Sequence, residues 1–161
     1  MNPIKLDLGC GGNKQKGFTG MDMRDLPGVD IVHDIEKFPW PLHDDCCMII
    51  VASHLVEHIS PKHSIAFMDE CWRIMVIGGT LAIATPYPGS VGYWQDPTHQ
   101  NGWSQITFQY FDPTYPLFSI YQPMPWRIKK GFPVWQQNGN LEVIMEKIEV
   151  RDSYGEEVEH D

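Results

Sequence analysis

Apolar runs alternate with polar loops along the first half of the chain, and this pattern predicts a sheet of short strands. The runs cover residues 4–8, 18–22, 29–33, 46–52 and 80–85. Residues 46–52 are apolar without interruption and lie between polar loops, which is typical of a strand buried in a parallel sheet. We therefore expect a mostly parallel sheet at the centre of the fold.

One amphipathic helix is predicted between the fourth and fifth strands. Its apolar positions recur at helical spacing on one face and are Ile65, Met68, Trp72 and Met75. Ser60 is a favourable N-cap, Pro61 suits the first turn, and the pair Gly78-Gly79 is expected to end the helix. A strand, a helix and a second strand in this order imply a right-handed crossover between parallel neighbours.

The second half of the chain differs in composition. Residues 87–135 hold 13 of the 19 aromatic residues and seven of the 13 prolines. This predicts an aromatic, proline-rich segment over 87–125 that covers a site or contacts substrate, with one helix near residues 103–111. The pair Asn138-Gly139 lies between two apolar runs and predicts an antiparallel hairpin over 126–150. An acidic tail, 151–161, follows.

Length and charge limit the classes of protein that need to be considered. The 161 residues fit one domain. The formal net charge of -9 argues against a broad nucleic-acid surface, which would be basic. Residues 142–161 contain eight acids and two bases, and so carry -6 of that charge. Most of the negative charge therefore lies in the last 20 residues, and the rest of the chain is close to neutral.

The chain carries no pattern typical of a membrane or secreted protein. No apolar run approaches the roughly 20 residues of a membrane span, and the first residues do not resemble a secretory leader. The four cysteines have neither zinc-binding nor disulfide spacing. We therefore predict a cytoplasmic chain with no membrane span and no bound metal.

A glycine-rich loop follows the first predicted strand. The segment from Leu6 to Asn13 reads L-D-L-G-C-G-G-N. Glycines at this point allow the backbone to approach a ligand closely. The dinucleotide pattern needs a third glycine where Lys14 stands, so a nicotinamide-dependent oxidoreductase is disfavoured.

The D-x-G-x-G-G pattern resembles motif I of the class I S-adenosylmethionine (SAM)-dependent methyltransferases. Two later segments, 55–59 (L-V-E-H-I) and 70–79 (E-C-W-R-I-M-V-I-G-G), resemble further motifs of the small-molecule, type 11-like branch, with Ile77 where proline is usual. The resemblance covers residues 4–86, which would form the cofactor-binding core of a single domain. It implies an α/β, Rossmann-like, doubly wound and mostly parallel sheet with a C-terminal antiparallel hairpin.

The resemblance also implies SAM as the cofactor and S-adenosylhomocysteine as its product. Asp22 matches the acid that binds the ribose, since a carboxylate can accept two hydrogen bonds from a diol. Asp34 matches the position that accepts a hydrogen bond from the adenine amine. The cofactor-binding residues that the resemblance implies are Asp7, Gly9, Cys10, Gly11, Asn13, Asp22, Met23, Asp34, Ile35, Ser53 and His54.

The chain departs from the family pattern in the first crossover. Only 11 positions separate Gly11 from Asp22, where the family places both a helix and a strand. A helix of three turns takes about 11 residues by itself. We therefore predict a shortened form in which the first crossover helix is short or absent, with no helix ahead of the first strand.

Candidate catalytic residues lie in the aromatic segment and after the fourth strand. Residues 96–99 (D-P-T-H) look like a segment of some small-molecule methyltransferases. We predict His99 as a proton acceptor oriented by Asp96, and His54 as a second candidate. The alternative is a turn whose side chains only satisfy backbone groups. A base is needed only for a neutral hydroxyl or a charged amine, because methyl transfer depends mainly on alignment.

The predicted acceptor is a small, sugar or lipid-linked molecule, methylated on oxygen or nitrogen. Nucleic-acid amino-methyltransferases carry an [Asp/Asn/Ser]-Pro-Pro-aromatic stretch after the fourth strand, where residues 52–55 here read A-S-H-L. We therefore expect no nucleic-acid partner. A protein acceptor, a homodimer, a SAM-fold binding or regulatory module, and another SAM-consuming reaction stay open.

Overall fold

The computed structural model describes residues 2–137 and 139–149, and its strands form one eight-stranded sheet. The strands are β1 (Ile4–Leu8), β2 (Thr19–Asp22), β3 (Ile31–Val32), β4 (Cys47–Ser53), β5 (Met75–Pro86), β6 (Trp126–Ile128), β7 (Val134–Trp135) and β8 (Asn140–Lys147). The α-helices are α1 (Ser64–Ile74), α2 (Val91–Trp94), α3 (Gln105–Gln109) and α4 (Phe118–Tyr121). Two 3₁₀ turns, Val56–His58 and Pro61–His63, precede α1.

The sheet confirms the predicted fold class. Its strand order is β3-β2-β1-β4-β5-β8-β6, and β7 pairs with β8. The first five strands are parallel, whereas β8 runs antiparallel to β5, β6 and β7. The predicted hairpin over 126–150 is therefore an antiparallel region in which β8 inserts between β5 and β6. Its predicted turn includes Asn138, which lies outside the described residues, as does the acidic tail 151–161.

The first crossover contains no helix, as its length predicted. Residues 9–18 connect β1 to the adjacent parallel strand β2 through turns alone. The connections from β2 to β3 and from β3 to β4 are also loops. Within the described residues, α1, between β4 and β5, is therefore the only α-helix that connects two neighbouring parallel strands.

The predicted boundary between the helix and the fifth strand was wrong. The helix ends at Ile74 rather than at the glycine pair, and β5 begins at Met75. Met75 pairs with Cys47, after which the register shifts, so that Ile49 pairs with Thr80. Gly78, with a φ of +77°, accommodates this irregularity. Met75 has the helical spacing of the apolar face, but its pairing with Cys47 places it in the strand instead.

The hydrophobic core lies against one face of the sheet. Strand register places Leu8, Ala52, Ile83 and Val143 side by side on this face, and all are buried. They join one cluster with side chains of α1 and of the aromatic segment, among them Phe67, Met68, Cys71, Trp103, Phe108 and Phe111. Residues on the opposite face of β4, β5 and β8, such as Val51, Ala82 and Ile144, are only half-buried. The aromatic segment is thus part of the core.

The aromatic segment contains short helices of one turn or slightly more. The helix predicted near residues 103–111 is α3, whose start is fixed by reciprocal hydrogen bonds between Ser104 and Thr107. The segment is fastened to α1, because Trp72 Nε1 donates to the Pro125 carbonyl and Asp69 Oδ1 accepts from the Met124 N–H. No helix in the described part of the chain is long and apolar enough to cross a membrane.

Candidate active site

A cavity of about 450 Å³ opens at the carboxyl ends of β1, β2, β3 and β4. This is the edge at which open α/β sheets bind ligands, and the volume falls within the range of small-molecule sites. Its lining residues are Gly9, Asp22, Met23, Arg24, Asp34, Ile35, Glu36, His54, Leu55, His58 and Ile59. Four loops contribute them, each directly after a parallel strand.

The glycine loop leaves room for this cavity. Gly9 has a φ of +65°, and a Cβ there would lie 2.6 Å from Leu55 Cδ1, so this position needs glycine. The N–H groups of Gly9 and Cys10 both donate to the Met21 carbonyl, which fixes the loop beside β2. Gly11 also has a positive φ, +54°, and its N–H points to the next strand. The loop therefore offers bare backbone at the cavity.

Asp22 presents a nearly buried carboxylate at the end of β2. Its Oδ2 accepts from the Gly11 N–H at 2.8 Å, and its Oδ1 accepts from the N–H and Nε of Arg24 at 2.9 and 3.0 Å. Burial raises the pKa of Asp22, but the hydrogen bonds from Arg24 and Gly11 outweigh it and leave the pKa below its ordinary value. Asp22 is therefore a fixed anion on the cavity wall.

The loop after β3 forms the next part of the wall. Asp34 Oδ1 accepts from the Glu36 N–H, while Glu36 Oε1 accepts from the Ser60 N–H and contacts His63 Nδ1, both at 2.8 Å. Glu36 thus joins this loop to the start of the α1 region. These hydrogen bonds hold Asp34 and Ile35 in position on the cavity wall.

The structure separates the eleven predicted cofactor-binding residues into two groups. Those on the cavity wall are Gly9, Asp22, Met23, Asp34, Ile35 and His54. Those outside the lining are Asp7, Cys10, Gly11, Asn13 and Ser53. Asp7 instead accepts a hydrogen bond from the Gln15 N–H, which joins the start of the glycine loop to its end. Cys10 packs against Gly20, and burial raises the pKa of its thiol.

Five residues of the lining are not among the eleven predicted cofactor-binding residues: Arg24, Glu36, Leu55, His58 and Ile59. Each lies within five positions of a residue that was predicted, so a wider window around the strand ends would have found them. Their side-chain directions depend on turns such as the 3₁₀ turn Val56–His58, which apolar spacing does not reveal.

The three predicted catalytic residues lie near one another, around the buried carboxylate of Glu57. His54 has a positive φ of +52°, an uncommon backbone conformation outside glycine, and its Nδ1 lies 3.3 Å from Glu57 Oε1. His99 Nε2 lies 4.0 Å from the same oxygen and 3.8 Å from Asp96 Oδ2. Hydrogen bonds from Thr98 hold the pKa of Asp96 below its ordinary value. Of these residues, His54 alone lies on the cavity wall.

Comparison with solved structures identifies the fold. A SAM-dependent methyltransferase from Archaeoglobus fulgidus superposes with a TM-score of 0.64 at 15% identity, covering 91% of this chain and 86% of its own. The chain has the fold of the SAM-dependent methyltransferases. No family model matches the sequence, and no curated protein matches it.

Other structures with the methyltransferase fold differ in their described roles. A chain from a Haloferax volcanii complex that contains the Trm112 methyltransferase activator matches with a TM-score of 0.63 at 14% identity, over 92% of this chain and 84% of that one. The [4+2]-cyclase SpnF matches with a TM-score of 0.58 at 11% identity, over 91% and 76%. The methyltransferase fold therefore supports more than one reaction, and function has to be argued from the site.

Proposed function

We propose that this chain is a SAM-dependent methyltransferase that acts on a small-molecule, sugar or lipid-linked acceptor. The observation that carries the proposal is the Asp22 carboxylate, which is 4% exposed and lies on the wall of a cavity at the carboxyl edge of the sheet. A carboxylate on a cavity wall can accept hydrogen bonds from a ligand, and a ribose diol supplies two donors.

The residues on the cavity wall fit SAM in chemistry as well as in position. Gly9 allows close approach of the backbone, Asp22 accepts from hydroxyls, and Asp34 lies on the next loop, where a carboxylate can accept from an adenine amine. Ile35 and Leu55 add apolar surface on which a flat base can pack. Together they would bind the nucleoside part of SAM and fix its orientation.

Bound SAM would supply an activated methyl group on a sulfonium. The chain's own contribution is then to align the acceptor and to exclude water. His54 lies on the cavity wall and is half exposed, so it is the proposed proton acceptor for a hydroxyl or ammonium substrate. His99 is nearly buried and Asp96 is partly exposed, and both would position that end of the site.

Calorimetric titration with SAM and S-adenosylhomocysteine tests the proposal. We expect binding by the wild-type chain and a loss of about 10- to 100-fold in affinity for Asp22→Asn, since a hydrogen bond to a charged group contributes about 1.5–3 kcal/mol. Asp25→Asn is the matched control, because Asp25 is an exposed acid in the same loop and does not line the cavity. Absence of binding at millimolar SAM would refute the proposal.

A second candidate is a module that binds SAM without transferring its methyl group. The ion pair between Asp22 and Arg24 favours this candidate. A ligand that binds Asp22 would displace Arg24, and the released arginine would then signal that the ligand is bound. Incubation with SAM and a metabolite extract, read by mass spectrometry, separates the candidates. A methylated product with S-adenosylhomocysteine supports the enzyme. Bound but unconsumed SAM supports the module, and other SAM fragments indicate a different SAM-consuming reaction.

A further inference from the structure

Three side chains beside the cavity have the composition of a metal site. Glu57 and His58 come from the 3₁₀ turn after β4, and His99 comes from the aromatic segment. One potential ligand atom from each lies within 4.8 Å of the other two. Backbone contacts hold the two segments together, since the N–H groups of Gln100 and Asn101 both donate to the Glu57 carbonyl. The cluster is therefore a fixed part of the fold.

Glu57 carries a buried oxygen without a hydrogen-bond partner. The residue is fully buried, and its Oε2 accepts from the Thr85 hydroxyl at 3.1 Å. Its Oε1 has no hydrogen-bond partner, although His54 Nδ1 approaches to 3.3 Å. An isolated buried carboxylate oxygen is costly unless a cation or a donor satisfies it. The Oε1 atom thus indicates a missing partner.

The two imidazoles are held so that each keeps a lone pair available. His99 Nδ1 lies 2.6 Å from the Tyr93 carbonyl oxygen, which can only accept, so Nδ1 carries a proton, and in the neutral ring the lone pair is on Nε2, 4.0 Å from Glu57 Oε1. The Thr98 hydroxyl donates to Asp96 Oδ1 at 2.7 Å and therefore accepts from His58 Nδ1 at 3.0 Å. This leaves His58 Nε2 as the nitrogen with a lone pair.

An acceptor that holds one ring nitrogen in this way is typical of metal-ligating histidines. Such a histidine donates its outer ring N–H to a carbonyl, a carboxylate or a similar acceptor, which fixes the tautomer and leaves the inner nitrogen for the metal. Here the Tyr93 carbonyl holds His99, and Thr98, itself bonded to Asp96, holds His58. His99 Nε2 lies within 4.0 Å of two carboxylates, those of Glu57 and Asp96, so a cation at this point would be stabilised by both.

We propose that Glu57, His58 and His99 bind one divalent transition-metal ion of the Zn²⁺ type. Two histidines and one carboxylate form a donor set that such ions take in sites with an open coordination position. His58 also lines the cavity, so the ion would lie at the cavity wall. The ion would further clamp the aromatic segment to the loop after β4. Binding of the ion does not depend on the proposed methyl transfer.

Cobalt titration of the full-length chain, made metal-free with a chelator, tests the proposal directly. We expect one Co²⁺ per chain with visible d–d absorption, displacement by Zn²⁺, and a higher Tm in the presence of either ion. His58→Ala and His99→Ala should each weaken binding at least tenfold, whereas His43→Ala, which changes an exposed histidine away from the cluster, should not. Thr98→Val should weaken binding about tenfold through the orientation of His58.

Each result either supports the site or overturns it. The His99 side chain is nearly buried, so circular dichroism of its alanine variant checks folding, and His58, on the cavity wall, provides the second variant. No Co²⁺ absorption at millimolar metal would overturn the proposal. Wild-type affinity for Co²⁺ in either His58→Ala or His99→Ala would also overturn it. SAM titration on the same samples reports separately on the proposed methyltransferase.

Discussion

Replacing Glu70 by glutamine tests whether this carboxylate, through Trp40, holds the loop after β3 in place. Glu70 lies in α1 and is 7% exposed. Its Oε1 accepts from the Trp40 N–H and from Arg73 Nη2, both at 2.6 Å, and its Oε2 accepts from Arg73 Nε at 2.9 Å. Trp40 in turn donates from its indole to the carbonyl of Ile35, on the cavity wall. Glu70 therefore supports the loop after β3.

The expected cost follows from these contacts. Glutamine keeps one acceptor oxygen, but it removes the charge and turns an amide N–H toward the guanidinium of Arg73. Breaking a buried ion pair costs about 3–5 kcal/mol, and the partial exposure of Arg73 reduces this to about 2–3 kcal/mol. Arg73 also keeps its contact with Asp44 at 2.5 Å. For a chain of this length we expect Tm to fall by roughly 4–12 °C.

Urea unfolding followed by circular dichroism measures this cost. Asp44→Asn is the control, because it removes the other carboxylate that contacts Arg73, one that is 74% exposed. The control should unfold at nearly the wild-type urea concentration, whereas Glu70→Gln should unfold at a clearly lower one. Equal stability of wild type and Glu70→Gln would refute the reasoning, and so would equal losses in both variants.

The same pair predicts a dependence on pH. Burial raises the pKa of Glu70, but the hydrogen bonds from Arg73 and Trp40 outweigh it and hold the pKa below its ordinary value. A carboxyl with a lowered folded-state pKa stabilises the fold above its unfolded pKa, about 4.3, and loses this contribution as the pH falls through the folded-state value. The stability difference between wild type and Glu70→Gln should therefore be largest near neutrality and shrink below about pH 4.

Three further variants extend the test to the site and the sheet. Gly9→Ala places a Cβ 2.6 Å from a methyl group of Leu55, at a residue with a positive φ, so SAM titration should show at least tenfold weaker binding. Gly12→Ala is the control and should bind SAM normally, because no atom lies within 4 Å of the added Cβ. Arg24→Ala frees the Asp22 carboxylate and should tighten SAM binding by about two- to fivefold, whereas weaker binding would mean that the guanidinium contacts the ligand. Lys147→Met removes a buried ammonium that donates to two oxygens, and urea unfolding should show a loss of about 1–3 kcal/mol.

The strands were predictable because their signals are local. The predicted runs at 4–8 and 46–52 agree with Ile4–Leu8 and Cys47–Ser53 to within one residue. Both runs are bounded by turns and carry continuous or alternating apolar residues, so burial and backbone preference agree. The absent first crossover helix was also predictable, since too few residues separate the two strands. In contrast, the start of β5 depends on its pairing with Cys47, which no local pattern contains.

The candidate site was predictable only where it lies directly after a strand. Gly9, Asp22 and His54 each follow a parallel strand, and strand ends converge at one edge of the sheet. The cluster around Glu57 depends instead on how residues 96–101 fold back over the loop after β4. His58 and His99 are 41 positions apart, and the bonds that orient their rings come from Thr98 and from a backbone carbonyl. Such a juxtaposition requires the tertiary structure.

The short connection between β1 and β2 also affects the order in which the chain can assemble. Leu6 pairs with Thr19, only 13 positions away, whereas a usual strand–helix–strand unit spans about 30 residues. Loop-closure entropy grows with the logarithm of loop length, so this pairing costs about 0.6 kcal/mol less than one twice as long. The first two strands can therefore pair early in folding. Gly9 and Asp22 would then lie side by side before α1 packs on the sheet and β8 joins it.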